Sequence, residues 1–148
     1  MMEDPEVMRA PRREWAVSFG VLGVFAGCIV TATVFTALIF LALLTAPAEE
    51  LTAAGIESSP GRLALLVGGF AALAILVVGP SVAFGVGWLL RSVRNQSLHV
   101  LAFALAGAVV GGLVGYWGGG PVMANVLAAM LGASAGVGRL ALSPFARV

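Results

Sequence analysis

The stretch LHVLAFALAGAVVGGLVGYWGGGPVMANVLAAMLGASAGVGRLAL, residues 98–142, decides the fold. It reads as two apolar helices joined at Gly118-Gly119-Gly120-Pro121. Glycine recurs every fourth residue in the first helix, at Gly107, Gly111 and Gly115. The second carries a small-residue row at Ala128, Gly132 and Gly136. Residues four apart share a helix face, so each helix has a stripe almost free of side chains. Such stripes let two backbones approach closely inside lipid.

Composition agrees with a lipid setting. Hydrophobic residues make up 60% of the 148 and charged residues only 10%, against roughly 25% in a soluble domain. The net charge of +1 offers no basic surface for tracking phosphates, so no nucleic-acid partner is expected. Every cation is an arginine, and the chain is rich in Ala, Gly and Val. That bias suggests GC-rich coding and hence a prokaryotic plasma (inner) membrane. A single cysteine, Cys28, excludes an internal disulfide.

Upstream of the deciding stretch, residues 1–14 form a polar tail that ends in the cationic collar Arg9, Arg12 and Arg13. Residues 15–44 carry no charge and would rise about 45 Å as a helix, beyond a hydrocarbon core of about 30 Å. Arg12-Arg13 and Ala46-Pro47-Ala48 faintly match export and cleavage signals. The apolar run is too long for a secretory segment and continues past Cys28, so a retained span is expected. Residues 45–62 form a polar loop with a short helix near 47–54. Ser59-Pro60 is a cap followed by proline at the first helical position. The second span, 63–90, contains Pro80, which removes one helical hydrogen bond and predicts a kink. Ser81 is positioned to relieve the loss by bonding the Val77 carbonyl. After the polar link 91–97, with Ser97 as the expected cap, come spans 98–117 and 121–142 and a tail over 143–148.

The expected fold is therefore an all-α integral membrane four-helix bundle, held by Gly/Ala packing, with N- and C-termini cytoplasmic. Orientation follows from arginine. Placing both termini and the 91–97 link inside leaves Arg62 alone outside, a strong positive-inside pattern.

Chemistry is scarce. No Asp, Glu, Lys or Arg lies in the middle of a span, where proton relays and ion-coupled transport need one. His99, the lone histidine, sits one turn from a helix end and is expected to pair with water or a neighbouring carbonyl. Met123 and Met130 share a face without the partners a copper or haem site needs. Asn125 is the most interesting polar residue, read as facing the packing stripe and clasping a neighbouring helix. Thr31, Thr33 and Thr36 can bond their own helix, although Thr31 is also placed for a polar contact inside the membrane. No cofactor, metal or catalytic residues are expected.

These features favour a non-catalytic accessory or assembly subunit of a larger membrane complex. Its partners are the bilayer and a membrane protein or further copies of itself. The alternative is a homo-oligomeric pore, holin-like in size and span number. An enzyme ranks last, for want of a nucleophile–base pair or paired carboxylates at one depth.

Overall fold

The computed structural model describes residues 21–53, 59–93 and 95–143. The expected tail 1–14 and the start of the first span lie outside these residues. So do residues 54–58, Arg94 and the last five residues. The described chain is helical almost throughout: α1 (Val21–Thr45), α2 (Ala48–Ala53), α3 (Pro60–Leu89) and α4 (Gln96–Ala141). α1, α3 and α4 are long and apolar enough to cross a membrane, as in a multi-pass membrane protein.

The count of long helices is three, a correction to the expected four. The reason lies in the glycine turn. Helical structure persists through Gly118 and resumes at once with Pro121, leaving no loop between. Only Gly119 (φ −161°, ψ 15°) and Gly120 (φ 77°, ψ −164°) leave helical values. The conformation of Gly120 is open essentially to glycine alone. Pro121 suits the position after it, where its missing N–H costs nothing. These two residues fold the 46-residue α4 back on itself into two antiparallel arms, 96–118 and 121–141.

The arms touch through glycine. A methyl group built at Gly107 would stand 2.7 Å from the Leu131 carbonyl oxygen, and one at Gly115 would stand 2.6 Å from Ala124 Cα. At Gly111 it would collide with the Leu127 carbonyl. Gly132 faces Ala104 and Ala108 from the other side. Gly107, Gly111, Gly115, Gly132 and Gly136 are all buried.

α1 is the middle of the molecule, packed against both α3 and α4. It meets α3 antiparallel, with Gly68 over Thr36 and Gly79 over the Cys28 sulfur. It meets the second arm of α4 where Gly138 lies over Thr31 and Leu142 over Gly27. The start of α1, the end of α3 and both ends of α4 thus lie at one end of the bundle. Glu49, Arg62 and the glycine turn fall towards the other.

Local capping fixes the ends. Ser59 Oγ accepts from the Arg62 N–H at 3.4 Å, with Pro60 next to it at the helix start. The cap of α4 is Asn95, whose Oδ1 accepts from the Ser97 N–H at 3.0 Å. Ser97 is the expected cap, but Asn95, two residues earlier, takes that place and Ser97 supplies the N–H it accepts from. α3 runs through Pro80 to Leu89, and Ser81 makes no bond to Val77.

Candidate functional site

α3 and α4 make little direct contact with each other. Between them lies a cleft of about 760 Å³, with α1 as its floor. Its walls are apolar along most of their length, including Ile75, Val82, Phe103, Val110 and Leu131. Small residues line both walls, Gly79 and Ala83 on one and Gly107 and Ala135 on the other.

The polar groups collect where the helix ends converge. Trp88 from α3, Arg91 from the turn just after it, and His99 and Arg139 from α4 all line the cleft. Arg91 Cζ lies 5.5 Å from the Trp88 ring centroid, within range of a cation–π contact. His99 is buried, and its Nε2 donates to the Val93 carbonyl at 2.9 Å. That bond ties the first turn of α4 to the link before it.

Arg139 falls near the end of the expected span 121–142, at the boundary with the tail. The structure places it inside α4 with only 6% of its surface exposed. The signal was present in the spacing, since Arg139 continues the row Gly132–Gly136 onto the next turn. A guanidinium on a buried row is drawn into the protein rather than left at its edge.

Hydroxyls lining or flanking the cleft are turned to their own helices. Thr31 donates to Gly27, Thr36 to Ala32 and Ser134 to Met130, at 2.9, 2.9 and 2.7 Å. Ser134 is completely buried, and sequence reasoning passed over it. Thr31, read as a polar contact, does line the cleft, but its hydroxyl hydrogen is spent locally.

Asn125 is a correction. It is exposed on the second arm and makes no hydrogen bond among the described residues. The ridge facing the first arm consists of Ala124, Leu127, Ala128, Leu131 and Ala135. Asn125 lies one residue, roughly 100° of helix rotation, beyond it. No group of three or more His, Cys, Asp or Glu residues able to hold a metal occurs among the described residues. In comparisons with known proteins, the chain matches no family model, no curated protein and no solved structure.

Proposed function

We propose that this protein is a small, non-catalytic accessory or assembly subunit of a larger membrane complex, with four crossings and both termini in the cytoplasm of a prokaryotic cell. In this reading the two arms of α4 each cross the bilayer, and the glycine turn sits at the outer surface. Arg91 and Arg139 then lie inside, and Arg62 and Glu49 outside, in keeping with the positive-inside rule.

One observation carries the subunit reading. Gly61, at the start of α3, packs 3.8 Å from the Phe40 ring as measured from a built Cβ. Phe40 is therefore level with the exposed Arg62, whose guanidinium belongs at the water boundary. Leu41 and Leu44 stand at or beyond that level, yet they are 56% and 57% exposed. α2 follows directly but leaves them bare. An apolar patch outside the hydrocarbon usually marks an interface. The length of α3, 30 residues or about 45 Å against a core of about 30 Å, pushes in the same direction.

The test is a photoreactive residue at Leu44 in cells expressing the full chain. A discrete adduct with a different membrane protein is expected. Adducts with lipid alone, or only with another copy of the chain, would overturn the subunit reading. The homo-oligomeric pore gains little support from the cleft, because its hydroxyls face their own helices and its polar side chains gather at one end only.

A further inference from the structure

We draw no further inference here: the strongest candidate, the apolar cleft between α3 and α4 with its polar side chains at one end, carries nothing, since Arg139 in its wall already has a partner and nothing in the structure shows what covers the apolar walls.

Discussion

At Gly111 and Gly112 the same substitution meets two different surroundings one residue apart. A methyl group at Gly111 would press on backbone atoms, with Leu127 C at 2.8 Å and Ala128 N at 3.1 Å. Backbone cannot rotate away as a side chain can, so the arms must separate and lose contact along their length. At Gly112 the nearest atom is Ala128 Cβ at 3.6 Å, an ordinary contact. There alanine gains the helix propensity that glycine lacks, up to about 1 kcal/mol. Thermal unfolding in mild detergent should therefore show Gly111→Ala less stable than wild type by about 1–3 kcal/mol. Gly112→Ala should be neutral or more stable. Equal effects at both positions would mean that the arms do not meet as described. The sequence already contained this distinction, because only Gly111 belongs to the fourfold row with Gly107 and Gly115.

Among the elements, α1 gains most of its packing from small residues on its neighbours. Gly68 of α3 leaves just enough room for Thr36, whose Cγ2 and Oγ1 lie 2.5 and 2.7 Å from a built Cβ. Thr36 cannot swing aside freely, since it is β-branched and its hydroxyl is bonded to Ala32. Gly68→Ala should thus destabilise the protein, and Thr36→Ala in the same chain should recover most of the loss. A double-mutant cycle gives the coupling directly, and additive effects would refute the contact. Such pairings show what was legible in the sequence and what was not. Helical spans, the Ser59–Pro60 start and the glycine stripes follow from spacing and local chemistry, because each is decided within a few residues. The cleft was invisible, because it depends on α3 and α4 both choosing α1 over each other. Arg139 was missed for a related reason: a cation near the end of a span reads as a boundary residue until its burial is seen. Asn125 was misplaced because a row of small residues fixes a face only to within about one residue, and one residue turns a helix by about 100°.

For the whole molecule, the decisive question is which end of the bundle faces the cytoplasm. The contacts gather the start of α1, the end of α3 and both ends of α4 at one end, together with Arg91 and Arg139. Glu49 and Arg62 belong to the opposite end. Arginine near the ends of spans resists transfer across the membrane, whereas Asp and Glu contribute little to orientation. Among the described arginines, Arg91 and Arg139 fall on the cytoplasmic side if their end is inside, and Arg62 alone if it is outside. Single cysteines in a Cys28→Ala background read the answer. With an impermeant maleimide on intact cells, Glu49→Cys should label, and Ser92→Cys should label only after the membrane is opened. Both positions are exposed in the fold, so a failure to react reports the membrane and not burial. Labelling of Ser92→Cys on intact cells, with Glu49→Cys protected, would invert the protein. The Arg91–Arg139 end of the cleft would then meet the outer leaflet, and the apolar patch at Leu41 and Leu44 would seek its partner in the cytoplasm.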